Sequence, residues 1–135
     1  MGSFRIKGGK SLNGIIYPQG AKNEALQILC AVLLSDEEII ISNVPDIKDV
    51  NLLIELLVGM GVDTQKIDST TFKFCSKNIN IDYTKSDDFF DKSSKIRGSI
   101  MLMGPLVARF GIAYLAKPGG DKIGRRRVDT HFTGI

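Results

Sequence analysis

Apolar residues recur at helical spacings in two segments of the chain, and both segments predict helices. From Asn23 to Leu34 the residues are apolar almost all around a helix, which predicts that this helix is buried between other elements. Between residues 50 and 58, apolar residues recur at i, i+3, i+4, i+7 and i+8, as on one face of a surface helix. We expect this second helix to be capped by an aspartate and ended by a glycine, the candidates being Asp46 or Asp49 and Gly59 or Gly61.

Short runs of alternating or β-branched residues predict strands around these helices. The run Ile39-Ile40-Ile41 is β-branched throughout and predicts a strand that is covered on both faces. The predicted strands are 4–7, 14–17, 39–41, 70–74 and 79–81, the last two paired around a short polar turn. The acidic stretch from Asp82 to Asp91 then predicts a linker.

The order of elements repeats after this linker. Residues 96–108 are again apolar, and Gly104 and Pro105 within them predict a kinked or split helix. A strand, a glycine-rich basic loop and a further helix are expected next, at 112–115, 117–127 and from Val128 onward. Aligning 31–35 with 105–109 superposes the apolar helix, strand and turn of the two halves, which indicates a repeated unit with an incomplete second copy. The pattern therefore predicts a mixed α/β chain that is cut off inside a repeat.

Composition and charge exclude several classes of protein. The chain has 135 residues, 43% of them hydrophobic, which suits one domain with a folded core. Its longest uncharged apolar stretch, 100–108, is shorter than the ~18 residues that span a bilayer, and no basic-then-apolar leader opens the chain. We therefore expect neither a membrane protein nor a secreted one. Cys30 and Cys75 fit no metal-ligand or disulfide spacing, which favours a cytosolic protein without a zinc site.

The first candidate for chemistry is Gly20-Ala21-Lys22-Asn23, directly before the buried helix. A helix N-terminus has unpaired N–H groups and partial positive charge, so a lysine there is disfavoured unless an anion joins it. Together the lysine and the helix end form a phosphate or carboxylate site. The alternative is a solvated lysine beside an asparagine cap.

The second candidate is the basic loop that follows residue 116. It contains the cations Lys117, Lys122, Arg125, Arg126 and Arg127, with the carboxylate of Asp121 at its tip. Such a loop predicts a clamp for a multiply charged anion. Arg97 lies near the start of the second apolar helix, at the position in the repeat that corresponds to the Lys22 region. The alternative is a solvated basic loop that contacts nucleic acid. However, no aromatic residue is interleaved with the cations, and the net charge of +3 implies no such partner.

Taken together, these motifs resemble the UDP-N-acetylglucosamine enolpyruvyl transferases (UDP-N-acetylglucosamine 1-carboxyvinyltransferases). The resemblance runs from Phe4 to Ile135 in the family's order and spacing, over the beginning of a family member only. The motifs that carry it are Gly20-Ala21-Lys22-Asn23, Asn43-Val44-Pro45, Asp49-Val50, Gly104-Pro105-Leu106-Val107-Ala108-Arg109-Phe110-Gly111, Pro118-Gly119-Gly120, Ile123-Gly124 and Val128-Asp129.

The resemblance implies an inside-out α/β prism of repeated βαβαββ units, the enolpyruvyl transferase fold, with about one and a half repeats of an incomplete domain in this chain. Residues 1–21 would form N-terminal strands that pack with the other domain. Residues 22–135 would be the incomplete first domain, truncated within its second repeat. The second domain, in the rest of the chain, would be required to close the site, so no turnover is expected from these residues alone.

The implied reaction moves the enolpyruvyl group of phosphoenolpyruvate to the 3′-hydroxyl of UDP-N-acetylglucosamine and releases phosphate, by addition and then elimination. This is the first committed step of peptidoglycan synthesis in the bacterial cytoplasm, and it supports cell-wall formation, cell shape and division. The implied partners are the two small-molecule substrates, with no cofactor, metal, nucleic acid or membrane. Two alternatives stay open: an enolpyruvylshikimate phosphate synthase-like transferase, and a non-catalytic anion- or nucleic-acid-binding module.

Site residues are carried over by motif position. Lys22 would contact phosphoenolpyruvate and take part in catalysis, and Asn23 would help orient the sugar nucleotide. The remaining contacts would come from Arg97 and Arg126 to the phosphoenolpyruvate anion, and from Val128 and Asp129 beside the uridine.

The chain departs from the family pattern at two positions of the basic loop. Most members carry a cysteine where this chain has Asp121, which would protonate C3 of the enol but cannot be alkylated like a thiolate. We therefore expect activity through Asp121 and resistance to fosfomycin, which binds covalently at the cysteine. Many relatives have proline where this chain has Arg127, which leaves the clamp more positive and changes the surroundings of the uridine.

Overall fold

The computed structural model describes residues 3–117, 119 and 127–134. Its α-helices are Lys22–Ala31 (α1), Lys48–Gly59 (α2), Asp87–Lys95 (α3), Met103–Phe110 (α4) and Asp129–Thr133 (α5). Its strands are Glu38–Ile41 (β1), Asp63–Lys66 (β2) and Phe72–Cys75 (β3). Three 3-10 helices among the described residues, Val32–Leu34, Ile81–Lys85 and Arg97–Leu102, complete the set.

The strands form one antiparallel sheet in the order β1-β3-β2. Phe74 in the central strand lies opposite Ile39 on one side and Thr64 on the other. Phe74 is fully buried, and it packs in one hydrophobic core with residues of α1, α2, α3 and α4. The prediction of a mixed α/β chain is confirmed, and the order α1-β1-α2-β2-β3 is a βαβαββ unit without its first strand.

The helix predicted at 23–34 is present as α1 and the 3-10 helix that follows it. Leu26, Leu29 and Cys30 are buried, as expected, but Ile28 is 43% exposed. The strand predicted at 39–41 is β1, yet the expectation that both its faces are covered is wrong, because Ile40 is 63% exposed. Ile39 packs against the core, whereas Ile40 is on the opposite face of the sheet, where the described residues leave it open.

The second predicted helix is α2. The aspartate cap predicted for its start is absent, whereas the glycine predicted for its end is present. No aspartate caps its start: Ile47 is the N-cap residue and makes no side-chain cap bond. Gly61 ends the helix with φ 93°, and Gly61 N–H donates to Val58 O while Val62 N–H donates to Leu57 O. This is a Schellman motif, so the expectation of a glycine C-cap is confirmed for Gly61.

Several predicted strands are absent from the described residues. Residues 3–20 contain no strand, although their apolar side chains alternate, because no described strand lies beside them to pair with. Residues 79–81 and 112–115 are not strands either. β3 pairs instead with β1 and with β2, and β2 is a polar Asp-Thr-Gln-Lys segment that lacks any hydrophobic alternation.

The acidic stretch is not a linker, and this prediction is wrong. It forms the 3-10 helix Ile81–Lys85 and then α3, which Ser86 caps by accepting a hydrogen bond from Phe89 N–H at 3.2 Å. Acidic residues suit the first turn of a helix, where the partial charge is positive, and Asp87 and Asp88 occupy it. Phe89 is fully buried and anchors the helix to the core.

The second apolar segment is split, as predicted, into the 3-10 helix Arg97–Leu102 and α4. The helix predicted from Val128 is α5. Arg109 near the end of α4 donates from Nη1 to the carbonyl oxygens of Leu33, at 2.9 Å, and Ser35, at 3.4 Å. Arg109 thereby links the second unit to the segment between α1 and β1 of the first.

Candidate functional site

The site begins where Gly20 leads into α1. A Cβ at Gly20 would lie 1.9 Å from the carbonyl oxygen of Asn43, so the two backbone segments touch in a way that only glycine permits. Asn43 has φ 57°, which turns its own backbone toward this contact. Two of the motifs that carry the family resemblance therefore pack directly against each other and fix the start of α1.

Lys22, the first residue of α1, forms an ion pair with Asp49 in the first turn of α2. The Lys22 Nζ to Asp49 Oδ2 distance is 2.8 Å, and the two side chains are 48% and 37% exposed. No side chain caps α1, because Ala21 is its N-cap residue. The lysine was predicted to need an anion at this helix end, and Asp49 supplies one from within the chain.

A pocket of about 320 Å³ opens beside this ion pair. It brings together four of the predicted site residues, Lys22, Asn23, Arg97 and Val128, from α1, the 3-10 helix Arg97–Leu102 and the segment before α5. Its other lining residues are Leu26, Gln27, Asp49, Gly98, Ile100, Met101 and His131.

Arg97 reaches this pocket because its helix packs closely on α1. A Cβ at Gly98 would lie 2.8 Å from Leu26 Cδ1, so the absence of a side chain at Gly98 permits the close approach. Arg97 donates from Nη2 to the carbonyl oxygen of Arg127 at 3.3 Å, which links the site to the residues that precede α5. Lys22 and Arg97 thus lie on neighbouring elements around one pocket, an arrangement that suits an anion with two charged groups.

Asp129 lies next to the lining residue Val128, and its carboxylate is bound by Arg127. The Arg127 Nε is 3.0 Å from both carboxylate oxygens, and its Nη2 also contacts Oδ2. The hydrogen bond with Arg127 holds the pKa of Asp129 below its ordinary value. Arg127 therefore orients Asp129, the residue that the resemblance places beside the uridine.

Two predicted site residues, Asp121 and Arg126, lie outside the described residues. The loop acid and the second arginine of the anion clamp accordingly stay predictions.

Three further residues line the pocket although they were not predicted as site residues: Gln27, Asp49 and His131. Gln27 is four residues after Asn23 in α1, and His131 is three residues after Val128. Helical spacing from the chosen residues would have found both. Asp49 was predicted as a possible helix cap and belongs to a family motif. Its pairing with Lys22 depends on how α1 and α2 pack, which the sequence does not show.

An adjoining pocket of about 390 Å³ shares Gln27, Ile100, Met101 and His131 with the first and includes Cys30 in its lining. Burial raises the pKa of the Cys30 thiol to about 12. A thiol that stays protonated is a poor nucleophile, so the buried Cys30 acts as a core residue.

In the part of the chain that the structure describes, no three His, Cys, Asp or Glu residues come together in a group that could hold a metal ion. Among the same residues, no helix has the length and apolar character that crossing a bilayer requires.

Comparisons with known proteins show which family this chain resembles. The family model described as EPSP synthase (3-phosphoshikimate 1-carboxyvinyltransferase) matches residues 6–135. Proteins named UDP-N-acetylglucosamine 1-carboxyvinyltransferase are 58% identical in Bacteroides thetaiotaomicron and 56% in Porphyromonas gingivalis, over 100% of this chain and 31% of each relative. In Borreliella burgdorferi the identity is 44%, over 30% of the relative.

The crystal structure of the enolpyruvyl transferase NikO from Streptomyces tendae superposes with a TM-score of 0.64 at 25% identity, over 78% of this chain and 24% of that one. This confirms the predicted enolpyruvyl transferase fold. The chain spans about 31% of the length of the relatives from Bacteroides thetaiotaomicron and Porphyromonas gingivalis. Because the family model covers nearly all of its residues, the chain belongs to the EPSP synthase (3-phosphoshikimate 1-carboxyvinyltransferase) family.

Proposed function

We propose that this chain forms one wall of the active site of an enzyme that transfers the enolpyruvyl group of phosphoenolpyruvate to the 3′-hydroxyl of UDP-N-acetylglucosamine. The observation that carries the proposal is the convergence of Lys22, Asn23, Arg97 and Val128 on one pocket. These residues were selected from motifs that are far apart in sequence. Relatives with 56–58% identity over the whole chain are named for this reaction.

The charges around the pocket suit phosphoenolpyruvate. Its phosphate and carboxylate need two groups of donors, and Lys22 and Arg97 offer an ammonium and a guanidinium from different elements. A guanidinium binds a carboxylate or phosphate through two parallel hydrogen bonds, whereas an ammonium acts as a point charge with three donors. Arg126 adds a second guanidinium from the basic loop in this proposal.

The reaction proceeds in two steps. The 3′-hydroxyl gives up its proton to a base as its oxygen bonds to C2 of phosphoenolpyruvate, and the electrons of the C2–C3 double bond take up a proton at C3, which gives a tetrahedral ketal. The ketal then loses phosphate from C2 and a proton from C3, which restores the double bond in the enolpyruvyl product. Cations that bind the phosphate stabilise its negative charge as the bond to C2 breaks.

Asp121 supplies the proton to C3 in this proposal. A carboxylic acid beside several cations is ordinarily ionised, so it must be desolvated by closure of its loop before it acts as a general acid. Asp121 stands where most family members carry a cysteine. We propose that this makes the enzyme resistant to fosfomycin, because a carboxylate replaces the thiolate that is alkylated in relatives.

Mass spectrometry after fosfomycin treatment tests this assignment in the protein translated from the natural reading frame. No adduct is expected on the loop, whereas the matched variant Asp121→Cys is expected to gain one. A stable loop adduct on the unaltered protein contradicts the assignment.

The sugar nucleotide occupies the same cleft, with Asn23 orienting it and Val128 and Asp129 beside the uridine. Because the relatives are about three times as long as this chain, we place the opposite wall of the cleft in a second domain. The isolated 135 residues accordingly bind substrate without turning it over. The pathway is peptidoglycan synthesis in the cytoplasm, and through it cell shape and division.

A second candidate within the same family is transfer to a shikimate phosphate, which the description of the family model names. The motif Ala21-Lys22-Asn23 argues against it, because enolpyruvylshikimate phosphate synthases typically carry Ser-Lys-Ser there. Isothermal titration calorimetry of this chain with UDP-N-acetylglucosamine, shikimate 3-phosphate and an oligonucleotide separates the possibilities. We expect heat from the sugar nucleotide alone. Salt-dependent oligonucleotide binding without sugar-nucleotide binding would instead support a nucleic-acid-binding module.

A further inference from the structure

The ion pair between Lys22 and Asp49 places a carboxylate beside the cation that binds the substrate anion in the proposed reaction. If Lys22 is the cation that meets the substrate anion, a carboxylate 2.8 Å from its Nζ competes for the same charge. Asp49 is nevertheless one of the residues that line the pocket. An exposed ion pair contributes little to stability, so holding α1 to α2 is a small part of what this pair can do.

The geometry points to a positioning role: we propose that Asp49 is the resident counter-ion of Lys22, which holds the ammonium at the pocket and thereby sets how tightly the pocket binds an anion. This inference deepens the proposed function and rests on it for the identity of the substrate anion. Asp49 touches Lys22 rather than any reacting atom, so it acts on the reaction through Lys22.

The position of Asp49 is fixed by its place in α2. It occupies the first turn, where the partial positive charge of the helix end favours a carboxylate. Its immediate neighbour Val50 is fully buried, which anchors this turn to the core. The carboxylate is thus held by a rigid element, and the flexible lysine side chain is held by the carboxylate.

The donor count of the lysine allows Asp49 to stay in place when an anion arrives. An ammonium has three N–H donors, and one of them serves the Asp49 oxygen. The other two are left for a phosphate or carboxylate oxygen. Among the charged lining residues, Lys22 and Arg97 are positive and Asp49 is negative, so Asp49 lowers the positive charge that an anion meets.

Two measurements on the 135-residue chain test this role, with inorganic phosphate and phosphoenolpyruvate as the probes. The first is the dissociation constant of each probe from NMR titration of the ¹⁵N-labelled chain. The second is the rate at which each lysine is acetylated by acetic anhydride, read by mass spectrometry with Lys77 as the internal reference. The second readout needs no ligand, so it reports on the tether even if neither probe binds.

The variants are Asp49→Asn, Asp49→Glu and the matched control Asp46→Asn. Asp46 is three residues earlier, in the segment before α2, and its carboxylate accepts a hydrogen bond from Asn51 Nδ2 instead of contacting Lys22. Asp49→Asn is expected to tighten phosphate binding by about twofold to fivefold, the range that corresponds to an exposed ion pair, and to speed acetylation of Lys22. Asp49→Glu keeps the charge and is expected to restore slow acetylation, whereas Asp46→Asn changes neither readout.

Two results overturn the inference. One is an Asp49→Asn chain in which the acetylation rate of Lys22 is unchanged or changes no more than in Asp46→Asn. The other is tighter phosphate binding that persists when Asp49→Asn is combined with Lys22→Met, because the effect then does not pass through the lysine. If the unaltered chain binds neither probe while Asp49→Asn still exposes Lys22, the proposed function fails and the counter-ion role stands.

Discussion

Replacement of Gly20 by alanine adds one methyl group at the contact that fixes the start of the candidate site. The added Cβ would lie 1.9 Å from Asn43 O, 3.1 Å from Asn43 C and 3.2 Å from Pro45 Cδ. Contacts below 3.0 Å are essentially never seen for a real Cβ, so the two backbone segments must separate by about 1 Å. The obstacle is backbone, which cannot rotate away as the tip of a side chain can.

We expect Gly20→Ala to lower the free energy of unfolding by ~1–3 kcal/mol, the range for overpacking a tight contact. The shift also moves the N-terminus of α1, so that the Lys22 ammonium no longer sits where Asp49 places it. Phosphate binding by the chain is therefore expected to weaken along with stability.

Urea denaturation monitored by circular dichroism measures the stability change, and the m-value shows whether the unfolding transition is otherwise unaltered. Gly104→Ala is the matched control. Its Cβ would have nothing within 4 Å, and position 104 lies in α4, where alanine is favoured over glycine by ~0.5–1 kcal/mol. If Gly20→Ala unfolds at the same urea concentration as the unaltered chain, the packing of Gly20 on Asn43 does not fix the start of α1.

Three further predictions concern the elements that support the site. Ser86→Ala removes the hydrogen bond that caps α3, and we expect a loss of ~1 kcal/mol in urea denaturation; an unchanged midpoint would show that the cap is dispensable. Phe89→Ala empties a fully buried position and should lower the free energy of unfolding by ~3–5 kcal/mol, whereas Phe90→Ala, at a side chain that is 39% exposed, should lower it much less. Equal losses would show that Phe89 is not the residue that anchors α3 to the core. Burial raises the pKa of Cys30 to about 12 from an ordinary 9.0, so its protonated form favours the folded state, and the free energy of unfolding should fall as the pH rises from about 9 toward 12. Burial also raises the pKa of Tyr83 to about 12, with a smaller contribution from its hydrogen bond to Asp88, so Cys30→Ala should make the fall shallower without abolishing it; an equally steep fall would contradict the burial of the thiol.

The helices were predicted well wherever a hydrophobic face or a terminating glycine determines them. Helix α2 has a clear apolar stripe and ends at the Gly61 turn, and both features are local. Helix α3 was missed because most of its residues are polar, and of its two buried residues, Phe89 and Ser93, only Phe89 is apolar. A serine cap followed by two aspartates was the local signal for α3, and the net acidity of the segment hid it.

The strands were predicted poorly because a strand depends on its neighbours. Strand β2 has no hydrophobic alternation, and β3 alone makes it a strand by pairing with Asp63–Lys66. Residues 4–7 and 14–17 alternate but form no strand, and no partner strand for them lies among the described residues; their pairing with another domain stays a prediction. Pairing over long sequence distances is not encoded in the period of a short segment.

The site residues were predicted from motifs, and the structure adds the relations between them. Motif position selected Lys22, Arg97 and Val128, and the fold brings all three to one pocket. The pairing of Lys22 with Asp49 could not be predicted, because it depends on the packing of α1 against α2 across a separation of 27 residues.

The central claim is that this pocket is the substrate-binding wall of an enolpyruvyl transferase, and a chemical-shift map of the ¹⁵N-labelled chain tests it most directly. UDP-N-acetylglucosamine is added first and phosphoenolpyruvate second, with UDP-glucose as the matched control ligand. We predict saturable shifts at Asn23, Val128 and Asp129 with the sugar nucleotide, additional shifts at Lys22 and Arg97 with phosphoenolpyruvate, and none in β2. Shifts spread over the surface, or absent from these residues at millimolar ligand, would contradict the claim.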